Sequence, residues 1–414
     1  MTLAAKANRR WWIVGLLFLA TVFNYMDRQT LSILARTIQD DLHLTDLDYS
    51  DIVQWFLLAY TISYLIAGRV TDWLGTRASM ACFILWWSAA DMLTGLARTG
   101  GQLAGARFLL GMGEPGNYTA APKAISEWFS ARERSLALGL YTAGATVGAT
   151  IAPPVIAWLT LRHGWRVAFF ITGALGMLWV IPWWFVYKPR EEGRSGDRPA
   201  DPGVRPTKQS EWERWKLLFQ EREVWLLMLV RLVTDPVWYF YLFWFPKYLS
   251  DALHLSLRQL GHVAWVVYLA ADLGSVLGGL YVSRRISRGG RPIFTEQKVM
   301  TMLACIAPVG LLIPFMPGLA GVLALAAVVA FVQLAWQITT TTLAVNYFST
   351  SLIATAFGII AAGSGIGGML STNIVGHVVT SFSYRPVFFG LAVLHPVALL
   401  FVWGIRQGRA AVAE

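Results

Sequence analysis

Apolar runs of about 20 residues follow one another along nearly the whole chain, and they constrain its fold more than any other feature. The hydrocarbon core of a bilayer holds no water, so a segment crossing it must satisfy its own backbone N–H and C=O groups, which a helix does. One helical crossing takes about 20 apolar residues. Twelve such runs are read at 11–35, 50–70, 78–97, 101–126, 135–159, 166–187, 222–249, 259–283, 295–316, 319–346, 353–379 and 385–406. Composition agrees: of 414 residues 56% are hydrophobic and only 14% charged, too few charges to cover a soluble surface. The expected fold is an all-α integral membrane protein with twelve helices.

One hydrophilic stretch divides the runs into two sets of six. It opens with Lys188-Pro189-Arg190-Glu191-Glu192-Gly193 and is rich in charge, Pro and Gly, so it reads as a solvated linker. The expected organisation is a first six-helix bundle over 1–187, a linker over 188–220 and a second bundle over 221–414. Glu211 to Lys216 is expected to form a short interfacial helix before the seventh run. Lys6, Arg9, Arg10, Arg69, Arg77, Arg132, Arg134, the linker, Arg284, Arg285, Arg288, Arg291, Lys298, Arg406 and Arg409 fall on one side. The acidic segment from Asp40 to Asp48 falls on the other. The positive-inside bias therefore places both termini in the cytoplasm. The same bias accounts for the net charge of +10 without nucleic acid.

Other classes find little support. Cys82 and Cys305 lie inside apolar runs and suggest neither a disulfide nor a metal site. The six histidines show no ligand spacing, and His377 and His395 read as packing or interfacial residues. The N-terminal region lacks a cleavable signal pattern, and the sequon at Asn117 sits in an apolar helix and is discounted. No nucleophile–base arrangement is visible, and no loop is long enough for a signalling domain, so neither an enzyme nor a sensor is expected.

Charges inside the runs carry the functional signal. Asn24-Tyr25-Met26-Asp27-Arg28-Gln29 places a carboxylate beside a guanidinium in the first run, and Arg107 and Glu114 lie in the fourth. A charge at bilayer depth costs roughly 2.5–3.5 kcal/mol even on the lenient scale, a cost a sequence accepts where the charge meets a polar cavity, a partner or an ion path. Asp27 and Glu114 are candidate proton sites; the alternative is a static charge network, for Asp27 a permanent pair with Arg28. Arg107 and Glu114 are about two turns apart on one helix face, too far to pair, so each is expected to meet another helix. Arg28 offers a bidentate clamp for a carboxylate that keeps its charge when buried. Arg231 and Asp235 are spaced as an i,i+4 pair, with Arg231 a gating candidate and Asp235 alternatively a contact for substrate hydroxyls. Tyr25, Tyr60, Asn117, Trp238, Gln337 and Asn373 are further candidate substrate contacts, with helix packing as the alternative. Gly139, Gly144 and Gly148 before Pro153-Pro154, and the glycines from Gly363 to Gly368, allow close helix approach or a flexing gate.

Gly68-Arg-Val-Thr-Asp72-Trp-Leu-Gly75-Thr-Arg77 lies between the second and third runs and resembles the signature of the major facilitator superfamily. Gly75 permits a tight turn. Asp72 can cap a helix or pair with a neighbouring Arg and latch one conformation. In the second half only Gly278-Gly279-Leu-Tyr-Val-Ser283-Arg284-Arg285 remains, without the aspartate. The first half resembles the anion:cation symporter family at Asn24–Gln29, Gly105–Asn117, Ser126–Phe129, Arg132–Ser135 and Ile151–Pro154. The second half, with Arg231-Leu-Val-Thr-Asp235-Pro236-Val-Trp238, is most similar to its bacterial hexuronate transporters.

That resemblance implies two pseudo-symmetric six-helix halves rocking about a midplane site, Asp27 and Glu114 as the protonatable pair, Arg28 as the carboxylate ligand and Arg107 as a relay to the gate. It also implies a monomer in the bacterial inner membrane, driven by the proton gradient with no cofactor. The expected function is proton-coupled import of an organic anion, a sugar acid such as galacturonate, glucuronate or an aldonate. An organic-anion exchanger and a carrier of aromatic acids remain open, since the shared motifs leave the substrate undetermined.

Overall fold

Proline, glycine and capping side chains decide where the helices stop and bend. The computed structural model describes residues 3–129, 131–188, 211–348 and 353–406, and they are helical almost throughout. The first crossing is α1 (Leu3–Ile33), which breaks at Leu34 and continues as α2 (Ala35–Leu42). Next come α3 (Asp46–Leu74) and α4 (Thr76–Leu96). The fourth crossing is α5 (Gly100–Gly113) followed by α6 (Pro115–Trp128). Pro115 lacks an N–H and crowds the turn before it, which explains a break there. Two unbroken helices close the first set, α7 (Ala131–His163) and α8 (Trp165–Val186).

Of the expected linker, 189–210 lie outside the described residues, while Glu211–Gln220 forms α9. The seventh crossing is α10 (Arg222–Phe243), which breaks at Trp244 and continues as α11 (Phe245–Ala252). The eighth is α12 (Leu257–Val263) with α13 (Trp265–Ser287). The ninth is α14 (Pro292–Ile306) running into a 3-10 turn over Ala307–Phe315. Last are α15 (Leu319–Tyr347), α16 (Ile353–Ser381) and α17 (Arg385–Val402).

Among the described residues nine of these segments are long and apolar enough to cross a bilayer, and the bent α3 makes ten. The first and fourth are the ones left out. They carry Asp27 with Arg28 and Arg107 with Glu114.

Contacts at the helix ends fix the alternation of the chain. Arg9 donates to the main chain of Val186, Lys123 pairs with Asp72 and Arg406 with Glu223, which gathers the termini, the 2–3 and 4–5 loops and the start of α10 at one end. At the far end Arg166 pairs with Asp41 and donates to the Ala97 carbonyl, while Lys247 pairs with Asp46. Among the described residues, Arg9, Arg77 and Arg406 of the basic set thus lie at the end opposite the acidic segment from Asp40 to Asp48. Hydrogen bonds from Arg166 and Trp165 hold the exposed Asp41 carboxyl below the usual carboxylate range. Capping boxes start both α3, at Thr45 and Asp48, and α12, at Ser256 and Gln259.

Packing repeats between the two sets. α1 lies on α7 and α3 on α5, as α10 lies on α16 and α13 on α15. The sets meet where α3 touches α16 and where α7 touches α12 and α13. The expected tight packing at glycine is present in both halves. A Cβ at Gly144 or Gly148 would stand 2.4 or 2.6 Å from the carbonyl oxygen of Phe18 or Val22. At Gly363 or Gly367 it would stand 2.3 Å from that of Met228 or Leu232. No side chain fits at these four positions without a backbone shift.

Candidate functional site

A carboxylate or guanidinium that leaves water must find a partner inside the protein. Asp27, Glu114, Arg28 and Arg107 are all buried, and they meet near the middle of the first set of helices. Arg28 Nε donates to Glu114 Oε2 at 2.9 Å, and its Nη2 makes a 2.5 Å ion pair with the same oxygen. Glu114 reaches it from the joint between α5 and α6. The guanidinium carbon of Arg28 also lies 4.7, 5.1 and 5.6 Å from the ring centres of Tyr60, Tyr25 and Phe56. A cation framed by aromatic faces keeps favourable electrostatics while shedding water.

Arg107 meets different partners. It donates to the main-chain oxygen of Asp27 at 3.3 Å and of Arg28 at 3.1 Å, and it pairs with Asp91 at 3.6 Å. As the spacing suggested, Arg107 and Glu114 do not pair with each other but each meets α1. Adjacent in sequence, Asp27 and Arg28 diverge: Arg28 turns to Glu114, and neither carboxylate oxygen of Asp27 accepts a hydrogen bond among the described residues. Asp91 on α4 is the member of this cluster that sequence reasoning passed over. It is fully buried and accepts from Thr172 Oγ1 at 2.7 Å. The signal was available, since a lone aspartate in the 78–97 run meets the same insertion cost as Asp27.

The remaining sequence candidates are spread more widely. Arg231 Nε donates to Asp235 Oδ2 at 2.6 Å, an i,i+4 pair on α10. Trp238 is half-buried on the same helix, and beside it Tyr239 is 3.4 Å from Ser364 of α16. Asn373 donates to Gln54 at 3.2 Å and so links the two sets of helices. Asn117 is fully buried and its amide donates to Thr21 at 3.0 Å, which places it in the packing of α6 on α1. Gln337 is half-buried on α15, its main-chain carbonyl accepting from Thr341, and no bond to the Arg28 cluster is seen among the described residues. In the signature loop, Gly75 has φ +76 at the α3–α4 break, Asp72 pairs with Lys123 rather than with an arginine, and Arg77 lies 4.2 Å over the Trp184 ring.

Bonds between the two sets gather at the far end. Lys247, with its side chain only 1% exposed, pairs with Asp46 at 2.6 Å and with Asp251. Asp251 also accepts from Tyr384 at 2.9 Å and faces Arg36 at 3.6 Å. Tyr49 donates to the Phe243 carbonyl and Ser50 to that of Thr372, and nearer mid-depth Thr146 donates to Asp272 at 2.6 Å.

Comparison with known proteins places this arrangement. The family model of the Major Facilitator Superfamily matches residues 17–333. The chain is similar to the hexuronate transporter of Escherichia coli K12, 30% identical over 97% of this chain and 95% of that one. It is 34% identical to the galacturonate transporter of Dickeya chrysanthemi over 65% of this chain and 80% of that one. Among solved structures, an inward-facing, unoccupied bacterial homolog of the human lysosomal transporter Spinster superposes with a TM-score of 0.72, covering 95% of each chain at 18% identity. That last likeness concerns the fold alone.

Proposed function

The chain belongs to the Major Facilitator Superfamily, and on that premise we propose that it imports a sugar acid, a hexuronate such as galacturonate or glucuronate or else an aldonate, together with protons. The observation that carries this reading is the buried Arg28–Glu114 pair under Tyr25 and Tyr60. A substrate carboxylate reaching Arg28 must displace the carboxylate already there. Protonating Glu114 removes that competitor and frees the guanidinium fork for a bidentate contact. The names of the hexuronate and galacturonate transporters to which the chain is similar support the substrate class.

Energetics favour coupling. Moving one negative charge inward against an inside-negative potential costs about 2.3 kcal/mol per ~100 mV, so accumulation needs co-transported cations. In this reading Asp27 and Glu114 take up protons from the outer face, the anion binds Arg28, and the two sets of helices rock to open the termini's end. Loss of the protons inside returns Glu114 to Arg28 and expels the anion. Arg107, which bridges Asp91 and the backbone at Asp27, relays between the two acids. Arg231, Asp235, Trp238 and Asn373 supply contacts from the second set. The protein acts as a monomer in a bacterial inner membrane with both termini cytoplasmic, powered by the proton gradient alone.

The test is uptake of labelled galacturonate and glucuronate into proteoliposomes under an imposed inward proton gradient, with Asp27→Asn and Glu114→Gln alongside. The expected result is gradient-driven accumulation that both variants lose while retaining substrate exchange. Uptake of hydroxybenzoate or galactonate but of neither uronate would sink the hexuronate assignment.

A further inference from the structure

Five charged groups meet in the buried cluster, and their number is odd. Asp27, Asp91 and Glu114 are each fully buried, against Arg28 and Arg107. Arg28 is committed to Glu114, which leaves Arg107 to face two aspartates. Arg107 pairs with Asp91 at 3.6 Å and gives Asp27 only a bond to its main-chain oxygen. The carboxyl groups of Asp27 and Asp91 abut, with the hydroxyl of Thr172 beside both. Both carboxylate oxygens of Asp27 and Oδ1 of Asp91 lack a hydrogen-bond partner among the described residues. Around Asp91, α8 offers Thr172, α5 offers Arg107, the α5–α6 joint offers Glu114 and α1 offers Asp27. Among the described residues none of these brings a third cation. Two ionised carboxylates in contact, out of water and beside one guanidinium, repel each other strongly, and one proton between them removes the repulsion and supplies the missing donor.

We propose that Asp27 and Asp91 work as one proton-holding pair that shares a single proton in the substrate-free state, with Asp91 setting how tightly that proton is kept. This rests on the symport reading above. The proton that Asp27 carries is therefore never lost to a lone buried carboxylate. It is traded between two oxygens, and it leaves only when Arg107 comes to neutralise the second aspartate.

Proteoliposome uptake with proton-flux recording tests this on wild type, Asp27→Asn, Asp91→Asn and Asp91→Glu, with infrared spectra of the substrate-free proteins at neutral pH. Asp91→Asn is expected to place an amide donor against Asp27 and hold it ionised. Gradient-driven accumulation is then lost, exchange persists and its pH dependence flattens. The wild type is expected to show a carboxylic-acid C=O band that disappears in Asp91→Asn and shifts in Asp91→Glu. An Asp91→Asn protein with wild-type proton-to-substrate ratio and pH profile overturns the pair while leaving symport intact. A wild type that accumulates substrate without proton flux overturns symport, and the infrared band then decides the pair by itself. If Asp91→Asn does not fold, an unshifted band in Asp91→Glu, or no band in the wild type, overturns the proposal.

Discussion

The two sets of helices share a skeleton and differ in chemistry. The same residue spacing separates Leu34 from Trp244, where the first and seventh crossings break, Phe18 from Met228, and Val22 from Leu232, the carbonyls that the glycines of α7 and α16 touch. By that spacing Trp238 stands where Arg28 does and Val237 where Asp27 does. Backbone packing is therefore repeated while the buried charge cluster is not. In the proposed cycle, rocking calls for matched rigid rods on both sides, and proton coupling for desolvated charges together in one place. Concentrating them in one half lets that half hold the acids and arginines at fixed distances, while the other brings only the internally balanced Arg231–Asp235 pair toward the middle of its bundle.

The comparison is broken most severely at its chemical end. Arg28→Ala leaves Glu114 buried and unpaired, a loss of ~2–5 kcal/mol, and uptake is expected to fall more than about a hundredfold. Trp238→Ala at the matching position should cost less than about tenfold, or ~1.4 kcal/mol. Parallel uptake assays check both, and equal losses would refute the asymmetry. Next in size is the far-end joint. Lys247→Ala removes the cation between Asp46 and Asp251, and a thiol introduced by Ser50→Cys should react faster with an impermeant reagent; an unchanged rate would mean that Lys247 does not hold that end shut. The shared skeleton is probed by Gly144→Val and Gly363→Val. Each should destabilise by ~1–3 kcal/mol through overpacking, and thermal unfolding should return similar values if the two contacts are equivalent. Smallest is Lys123→Ala, which breaks an exposed pair with Asp72 worth under ~1 kcal/mol and should leave the KM for substrate unchanged.

The sequence made the helices legible because their signals are local. The apolar runs and Gly75 act within a few residues of themselves; Pro115 and the capping pair of Thr45 and Asp48 are equally local, and were seen only in the folded chain. It also marked Asp27, Arg28, Arg107 and Glu114, since a charge in a membrane run stands out without knowledge of its partners. Which charges pair was not legible. Arg28 meets Glu114 across 86 residues of sequence, and nothing local distinguishes that choice from the adjacent Asp27. Asp91 and Lys247 carried the same local signal, a charge inside a membrane run, and were passed over; what the sequence does not hold is which helices they meet. For Asn117 the sequence left substrate contact and helix packing open, and its amide nitrogen donates to Thr21, a partner 96 residues away that nothing local announces.

The far-end joint is a row of modest bonds, several of them to main-chain carbonyls, lying away from the Arg28 cluster. Such a seal can be loosened or tightened one residue at a time without altering what the cluster recognises. Under the proposed function, turnover rate and substrate chemistry thereby come under separate mutational control. A lineage carrying this architecture can adapt to scarce or plentiful nutrient by drifting at Lys247, Tyr49 or Ser50, keeping its cargo while changing how fast it is delivered.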